Sequence, residues 1–316
     1  MANKLSDKSS LVPNDSVGTQ RAGFVAVIGP PNAGKSTLVN YIVGDKITIV
    51  SPKIQTTRNQ IRGICTHGNS QLVLIDTPGI FQNPRKRLER SMVHAAWKGQ
   101  SEADDVIFLI DPNRGICPNT EEIFKHFHRH KKKPLMVINK VDTIKHEILL
   151  PLVAKIQQMK LFEKVFMISA LRGDGVNDLL QYLLSRLPNG PWLYPEDQLS
   201  DISERILASE ITREKIFNQL HQEIPYSVNV ETEKWKELAD GSCRIEQIIY
   251  VQRENHKIMI LGKDGRRIKS IGKAAREELN KILERKIHLF LFVKVREGWA
   301  ENPEHYRNMG LDYNPK

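Results

Sequence analysis

Short apolar runs alternate with helix-like segments through the first 190 residues of the chain. Six runs have the length and composition of buried strands, at 24–29, 61–65, 72–75, 106–110, 135–138 and 165–168. Helical periodicity falls between several of them, at 121–130, 148–159 and 176–187. Strands that alternate with helices predict an α/β domain whose mostly parallel sheet is covered on both faces. Ligands bind such sheets at the carboxyl ends of the strands, so we expect the functional loops there.

A segment with three prolines and a glycine, residues 187–195, interrupts this alternation. Beyond it the order changes to a helix at 203–220, extended segments at 227–234 and 244–252, a helix at 267–283 and a strand at 287–295. Proline- and glycine-rich segments are typical of domain boundaries. We therefore predict a flexible tail at 1–20, an α/β domain at 21–188, a linker at 189–201 and a small α+β domain with a C-terminal tail at 202–316.

The composition narrows the class of protein. A hydrophobic fraction of 40% and a charged fraction of 27% are typical of a soluble globular protein. The first twenty residues hold no apolar block and resemble neither a secretory signal nor a transit peptide. Three widely spaced cysteines fit a reduced, cytoplasmic setting. Within a net charge of +10, residues 257–296 carry 12 basic and 4 acidic side chains, which indicates either an acidic partner or ordinary solvated helix faces.

The loop after the first strand has the pattern G-x-x-x-x-G-K-S, between a strand and a helix. Backbone N–H groups and the helix dipole favour anions at such a turn. We expect Lys35 to supply a positive charge to the outer phosphates and the Ser36 hydroxyl to bind Mg²⁺. The motif alone does not separate ATP from GTP. The predicted phosphate contacts in this loop are Gly29, Pro30, Pro31, Asn32, Ala33, Gly34, Lys35, Ser36 and Thr37.

A second phosphate-facing motif, Asp76-Thr77-Pro78-Gly79, follows the run at 72–75. A carboxylate at a strand end can hold the Mg²⁺ hydration shell, and the Gly79 N–H can meet the γ-phosphate and sense its loss. The same residues also occur in plain turns at strand ends. Because the motif lies two strands after the phosphate loop, we favour the functional interpretation and assign all four residues to the phosphates.

Residues 55–58, Gln-Thr-Thr-Arg, lie between these two motifs in a segment without clear periodicity. A threonine hydroxyl from a mobile loop can complete the Mg²⁺ shell only when the γ-phosphate is present, which orders the loop in the GTP state. We favour Thr57 over Thr56 for this role. The predicted metal ligands are therefore Ser36, Thr57 and Asp76.

The tetrapeptide Asn139-Lys140-Val141-Asp142 follows the strand at 135–138 and indicates guanine as the base. Guanine presents two N–H donors that one carboxylate can accept, and adenine offers no such pair, so Asp142 would discriminate strongly. Asn139 can tie the base to neighbouring loops, and the Lys140 stem can pack across the purine. At Ser169 and Ala170 a backbone N–H could donate to the guanine carbonyl. Four motifs in this order predict GTP as the ligand.

On these motifs the sequence resembles the translation-factor class of P-loop GTPases and, more closely, the bacterial Era family. G-P-P-N-A-G-K-S, Q-T-T-R, D-T-P-G, N-K-V-D and I-S-A all stand here as in that family, and the resemblance runs from about residue 23 to 312. It implies a GTPase domain joined to a type II KH domain that binds the 3′ end of small-subunit ribosomal RNA during small-subunit assembly. It also implies a cytoplasmic protein with some peripheral association with the inner membrane. We expect a monomer.

The KH interpretation has support from the residues themselves. A G-x-x-G loop directly before a helix lets a nucleic-acid backbone approach closely and clamps about four nucleotides. The run at 257–261 would form one wall of the groove. Trp299 and Tyr306 could stack on bases, but such aromatics are more often packing residues. Asp264 places a negative charge inside the loop. The predicted RNA contacts are Gly262, Lys263, Asp264, Gly265, Arg266, Arg267, Lys269 and Lys273.

Catalysis in such GTPases is mostly positioning and charge stabilisation of an attacking water. Ile80 occupies the position where Ras-type enzymes have a water-orienting glutamine, so another group must orient the water. Related GTPases with asparagine at the position of Asn32 use a bound potassium ion in place of an arginine finger. We therefore predict slow hydrolysis stimulated by K⁺ over Na⁺, with Lys35, Thr57, Gly79 and Asn32 as the catalytic set.

Two other interpretations stay open at this point. The C-terminal domain could dock a protein or the acidic surface of the inner membrane rather than RNA. Alternatively, the chain could be a metabolic or tRNA-modifying GTPase, which would need extra catalytic residues such as a reactive cysteine. Cys65 and Cys117 follow no such pattern and are typical of small packing residues.

Overall fold

A computed structural model describes residues 19–53, 56–82, 84, 86–128, 133–220 and 228–315. Four sequence predictions reach outside this part of the chain: the tail through residue 18, Gln55, the helix end at 129–130 and the strand start at 227.

The first half of the described chain forms a six-stranded sheet in the order β2-β3-β1-β4-β5-β6. Only β2 runs antiparallel to its neighbour; the other pairs are parallel. This arrangement confirms the predicted mostly parallel α/β sheet. The strands are β1 Arg21–Ile28, β2 Ile61–His67, β3 Ser70–Asp76, β4 Asp105–Ile110, β5 Leu135–Ile138 and β6 Val165–Met167.

Helices cover both faces of this sheet over two separate apolar cores. The central strands are buried along their length because both faces are covered, as their continuous apolar runs predict. The helices are α1 Lys35–Val43, α2 Arg87–Glu102, α3 Pro118–Phe127, α4 His146–Gln158 and α5 Val176–Arg186. The sequence analysis did not predict α2.

The second half is an α+β unit built on a three-stranded sheet in the order β7-β8-β9. Strands β7 and β8 are antiparallel, while β8 and β9 are parallel and enclose two helices and the G-x-x-G loop between them. Residues 257–261 lie in helix α7, which the sequence analysis also missed. The elements are α6 Glu204–Gln219, β7 Val228–Glu237, β8 Cys243–Val251, α7 Glu254–Leu261, α8 Arg266–Ile282, β9 Ile287–Val295 and α9 Pro303–Asn308.

The segment between the two sheets is held against the first one. The Ile64 N–H of edge strand β2 donates to the Leu199 carbonyl at 2.9 Å. Gln71 accepts from two backbone N–H groups of the segment and donates to the Tyr194 carbonyl at 2.9 Å. The predicted linker at 189–201 is therefore hydrogen-bonded to the six-stranded sheet along its course. Its role as the domain boundary stays a prediction.

The C-terminal segment crosses back to the first unit. Trp299 and Tyr306 are 1% and 0% exposed and pack against Leu88 and Met92 of α2. Of the two roles the sequence left open for these aromatics, the structure supports packing. Within the described chain, every helix is too short or too polar to cross a membrane.

Candidate functional site

The phosphate loop joins β1 to α1 at the carboxyl edge of the sheet. Helix α1 begins after Gly34, which has a φ of 95°, and no side chain caps its first turn. A Cβ at Gly34 would lie 2.2 Å from the Asn139 side chain, so only glycine fits there. The first N–H groups of α1 are therefore left to an external acceptor, as an anion site requires.

Lys35 is the charged group of this loop. Its side chain is 6% exposed, and its ammonium donates to the Gly29 and Pro30 carbonyls at 3.2 and 3.0 Å. Burial lowers its pKa to about 8, against the opposing charge of Asp76. A phosphate beside Lys35 would supply the missing countercharge and favour the protonated lysine.

The three predicted metal ligands lie together. The Ser36 hydroxyl donates to Asp76 Oδ2 at 2.7 Å and lies 2.8 Å from the Thr57 hydroxyl, while Thr56 instead donates to the Lys53 carbonyl. Thr48, which the sequence analysis missed, also donates to Asp76 Oδ2 at 3.1 Å. Two hydroxyls and a carboxylate in contact form an all-oxygen donor set of the kind that Mg²⁺ prefers.

Asp76 shows that this donor set is incomplete without a ligand. It is fully buried, and its Oδ1 has no hydrogen-bond partner among the described residues. Burial raises its pKa, although the hydrogen bond from Ser36 opposes the shift. A buried carboxylate oxygen without a partner is costly, and the hydration shell of a divalent cation would satisfy it.

The D-T-P-G turn closes on the phosphate loop. The Ile80 N–H donates to the Gly29 carbonyl at 3.1 Å, and a Cβ at Gly79 would lie 2.9 Å from the Pro31 Cα. Thr77 is buried and donates to the Val27 carbonyl at 2.8 Å, which is a structural contact. Ile80 is 4% exposed in the apolar core. Its side chain is thus remote from any role in orienting water.

The base-recognition residues are fixed from several loops. Asn139 donates to the Ala33 carbonyl at 2.8 Å, which ties the N-K-V-D loop to the phosphate loop. Lys140, with a φ of 63°, donates to the Asn32 carbonyl and to Asp111 at 2.7 Å each. Asp142 is largely buried, and Arg172 lies 3.4 Å from its carboxylate. These contacts hold Asp142 at the edge of the site, where a base can meet it.

Two backbone donors predicted for the guanine carbonyl already have acceptors in the protein. The Ala170 N–H donates to Asn139 Oδ1 at 2.9 Å, and the Ser169 N–H donates to the Asp174 carbonyl at 2.9 Å. These bonds hold the loop in shape next to Asn139. A contact from Ala170 to guanine would therefore have to share or exchange this hydrogen.

A cavity of about 210 Å³ opens between the phosphate loop and residues 45–60, which we call the switch loop and which are described except for 54 and 55. Pro31, Thr37 and Gly79 line it together with Lys35 and Ser36. Across it, Asn32 Nδ2 donates to the Pro52 carbonyl at 2.6 Å. The phosphate loop and the switch loop thus face each other over the metal-ligating residues.

The G-x-x-G loop has the shape that its sequence predicts. Gly262 has a φ of 68°, and Asp264 and Gly265 also take left-handed backbone conformations before α8 begins. Lys263, Arg266, Lys269 and Lys273 are exposed. Arg267 donates to the Met259 carbonyl at 2.7 Å and so also secures the end of α7, while Arg266 lies 3.8 Å from Asp264 and offsets part of its charge.

Comparison with known proteins agrees with this geometry. Residues 24–140 match the family "50S ribosome-binding GTPase", and residues 223–300 match the KH domain. The chain is 56% identical to GTPase Era of Rhizobium meliloti over 293 residues, which is 93% of each chain. GTPase Era of Brucella suis is 54% identical and covers 93% of this chain and 94% of its own. The chain belongs to the Era family of GTPases.

Solved Era structures share the whole fold. An Era structure with MgGDPNP and nucleotides 1506–1542 of 16S ribosomal RNA has a TM-score of 0.87, 40% identity, and coverage of 92% of this chain and 99% of its own. An Aquifex aeolicus Era variant bound to GDP and AlF₄⁻ matches equally well. The predicted family, the two-part fold and the GTPase activity are confirmed, and docking of a protein or a membrane by the C-terminal domain in place of RNA is not favoured.

In this Era-family chain the switch loop contacts the second unit, which holds the KH domain. The sequence analysis did not predict this contact. Ile49 is 1% exposed and packs among Leu207, Ile211 and Ile245 of the second unit. The Val50 N–H donates to Glu214 of α6 at 2.9 Å. The loop that carries Thr57 is therefore part of the contact between the two halves of the molecule.

Arginines fix the same loop on either side of Thr57. Arg213 of α6 donates to the Thr56 carbonyl at 2.5 Å, and Arg58 donates to the Val228 carbonyl of β7 at 2.7 Å. Arg58 is 1% exposed and lies 5.9 Å from the Trp299 ring centroid. Burial lowers the pKa of Arg58 to about 9, and the nearby charge of Arg213 adds to that effect. Its burial is maintained by contacts from the second unit.

A cluster of four charges completes this interface. Lys46 of the switch loop binds Glu214 of α6 at 2.8 Å and also Glu278 of α8. Lys215 binds the same two carboxylates, 2.7 Å from Glu214. The Glu214 side chain is 3% exposed. Lys46 and Glu278 are 232 positions apart, so no local sequence pattern could have revealed the pair.

Proposed function

We propose that this Era-family GTPase is a guanine-nucleotide switch that binds the 3′ end of small-subunit ribosomal RNA and assists small-subunit assembly in the cytoplasm. The observation that carries the proposal is the switch loop: it brings Thr57 to the metal-ligating residues and is anchored to the RNA-binding unit on both sides of Thr57. A change of nucleotide that moves Thr57 must therefore act on the second unit.

In the proposed site Ser36, Thr57 and Asp76 hold Mg²⁺, which supplies neutralising charge for the phosphates. The orphaned Asp76 Oδ1 supports this assignment. Lys35 and the first N–H groups of α1 bind the phosphates. The Gly79 N–H donates to the γ-phosphate and so senses its loss. Asn139, Lys140 and Asp142 bind guanine. Arg172 beside Asp142 would give way to the base.

The proposed binding of K⁺ has support from Asn32. Its amide reaches the Pro52 carbonyl, so a side-chain amide and a switch-loop carbonyl meet beside the phosphate loop. A monovalent cation would take oxygen ligands, so the Asn32 Oδ1 and the Pro52 carbonyl could bind it only if it replaced the hydrogen bond from Nδ2. Its charge would stabilise the phosphates during hydrolysis. Because Ile80 is buried in the core, the chain needs such a group near the water.

We expect GTP hydrolysis to be several-fold faster in K⁺ than in Na⁺ at equal ionic strength, and Asn32→Ala to abolish the difference. Phosphate release under single-turnover conditions measures both rates. Asn177→Ala, at an exposed position of α5, is the matched control and should keep the K⁺ preference. Equal rates in the two salts would contradict the potassium assignment.

The RNA site is supported by the exposed cations at the G-x-x-G loop and by the absence of acidic residues in the first turn of α8. The Era relative solved with 16S ribosomal RNA belongs to the same family and has the same fold. Phosphates approaching this loop would meet Lys263, Arg266 and the positive end of the helix dipole.

Lys263→Glu combined with Arg266→Glu should weaken binding of a short single-stranded RNA with the sequence of that 3′ end at least tenfold at about 0.15 M salt. The salt slope of binding should fall by about 2 because two phosphate contacts are lost. Lys155→Glu with Lys160→Glu changes the net charge equally on the GTPase unit and should have little effect. If both double variants weaken binding alike, the loop is not the RNA site.

A further inference from the structure

The three-stranded sheet of the KH unit has two different faces. Its inner face packs against α6, α7 and α8 through buried side chains such as Ile245 and Ile249. On the outer face, alternate residues of β9 point to solvent, and Phe290 and Phe292 are 41% and 48% exposed. Two exposed phenyl rings on one face of a strand form an apolar surface that the GTPase mechanism does not use.

Cations and two paired carboxylates lie around the rings. Phe292 lies beside Ile248 of β8, and Ile248 lies beside Glu231 of β7, which pairs with His305. Phe290 lies beside Glu246 of β8, which in turn lies beside Lys234 of β7. One row further, His288 lies beside Arg244 and Arg244 beside Lys236. At the other end, Lys294 follows Phe292 on the same face and is exposed. We call Lys234, Lys236, Arg244, Phe290, Phe292 and Lys294 the outer sheet patch.

The side chains of the patch are arranged for a planar, negatively charged ligand. The Arg244 guanidinium lies 4.6 Å from the Phe290 ring centroid, and the Arg244 side chain is 49% exposed. Lys234 and Arg244 form ion pairs with Glu246 at 3.2 and 2.8 Å. Hydrogen bonds from Lys234 and Arg244 lower the pKa of the Glu246 carboxyl group. The carboxylate is thus neutralised, and an excess of positive charge remains around the rings.

The position of the patch relates it to the G-x-x-G loop. Helices α7 and α8, which flank that loop, pack against β9, and β9 is an edge strand of the described sheet. A single strand of RNA leaving the loop can therefore pass over β9 to the outer face. Near Tyr250 the C-terminal segment bounds the patch, with the His305 ring centroid 5.6 Å from that of Tyr250.

We propose that the outer sheet patch is a second contact site for single-stranded RNA, in addition to the G-x-x-G loop. Bases stack on Phe290, on Phe292 and on the Arg244 plane, and the lysines contact phosphates. Residues two apart on a strand are separated by about 6.6 Å, so the two rings offer successive stacking positions. Because every base has an aromatic face, the patch extends the RNA footprint without adding much sequence preference.

This proposal rests on the proposed RNA-binding function. The charge of the patch favours RNA over an apolar protein surface, since a protein partner would have to bury several lysines. A second copy of this chain would have to place the same cations against each other. The second copy is an outcome of the test.

The test uses the full chain with Phe290→Leu and Phe292→Leu, which keeps apolar side chains and removes the rings. Binding is measured for a four-nucleotide RNA that fills the G-x-x-G loop and for an unstructured twelve-nucleotide RNA that contains it. We expect the variant to bind the long RNA about tenfold more weakly and the short RNA as the wild type does. Ultraviolet crosslinking of the long RNA should label residues 287–295.

Ile148→Ala with Leu150→Ala removes two exposed apolar side chains from α4 and should bind both RNAs normally. Unchanged GTP hydrolysis verifies that each variant is folded. If the leucine variant binds the long RNA as tightly as the wild type, the patch is not an RNA site. If sedimentation instead shows that the variant abolishes self-association, the patch is an interface between copies. Lys263→Glu separates the two proposals: if it weakens neither RNA, the proposed RNA function itself fails.

Discussion

Replacing Asp142 by asparagine should weaken GTP binding about 1,000-fold and make xanthosine triphosphate the preferred ligand. A carboxylate accepts from both N–H groups of guanine, whereas an amide places a donor opposite one of them. Xanthine carries a carbonyl at that position, so the amide matches it. Because Asp142 is largely buried, the mismatched donor would be left without water.

Titration with fluorescent GTP, GDP and xanthosine nucleotides measures this exchange of preference. Arg172→Ala is the matched control, since it removes the contact at 3.4 Å and leaves the carboxylate in place. It should retain GTP binding. A variant with asparagine at 142 that still prefers GTP would show that another group reads the base.

Replacing Glu214 by glutamine should uncouple the nucleotide site from the RNA-binding unit. The change keeps the size of the side chain but removes a buried charge that Lys46 and Lys215 both bind. We expect a loss of about 2 kcal/mol in the free energy of unfolding, less than for a fully isolated buried pair because Glu278 still faces both lysines. The switch loop would then lose a charged attachment to α6.

Thermal and denaturant unfolding measure the stability, and RNA titration in each nucleotide state measures the coupling. Glu277→Gln is the matched control, because Glu277 is exposed on α8 next to Glu278 and contacts only Lys273 at 3.9 Å among the ion pairs of the described chain. It should leave both quantities unchanged. Full coupling in the glutamine variant at 214 would show that the charge cluster does not transmit the nucleotide state.

The nucleotide site could be predicted from the sequence because its parts are local. The phosphate loop, D-T-P-G and N-K-V-D each lie at the end of a strand, so spacing alone places Ser36, Asp76 and Asn139 at one edge of the sheet. Family resemblance then extended the prediction to the second unit, and the comparisons confirm both. The individual site residues and the domain bounds remain predictions.

The contacts between the two halves could not be predicted. The sequence placed Arg58 in a mobile loop, yet its side chain is buried and donates to the Val228 carbonyl, 170 positions away. Packing was the more usual role for Trp299, but the sequence could not show that its partner is the α2 surface. Helix α7 was missed because its residues 258–261 form a continuous apolar run without helical alternation. Such features depend on which distant surfaces meet, and a single sequence does not reveal that.

The most direct test of the account is the affinity of the wild-type chain for a short single-stranded RNA matching the 3′ end of small-subunit ribosomal RNA, measured with GDP and with a non-hydrolysable GTP analogue. Because the switch loop is bound to the RNA-binding unit, we predict at least about fivefold tighter binding with the GTP analogue. By reciprocity the RNA should tighten binding of the analogue by the same factor. Equal RNA affinity in the two nucleotide states would contradict the coupling of the two halves through the switch loop.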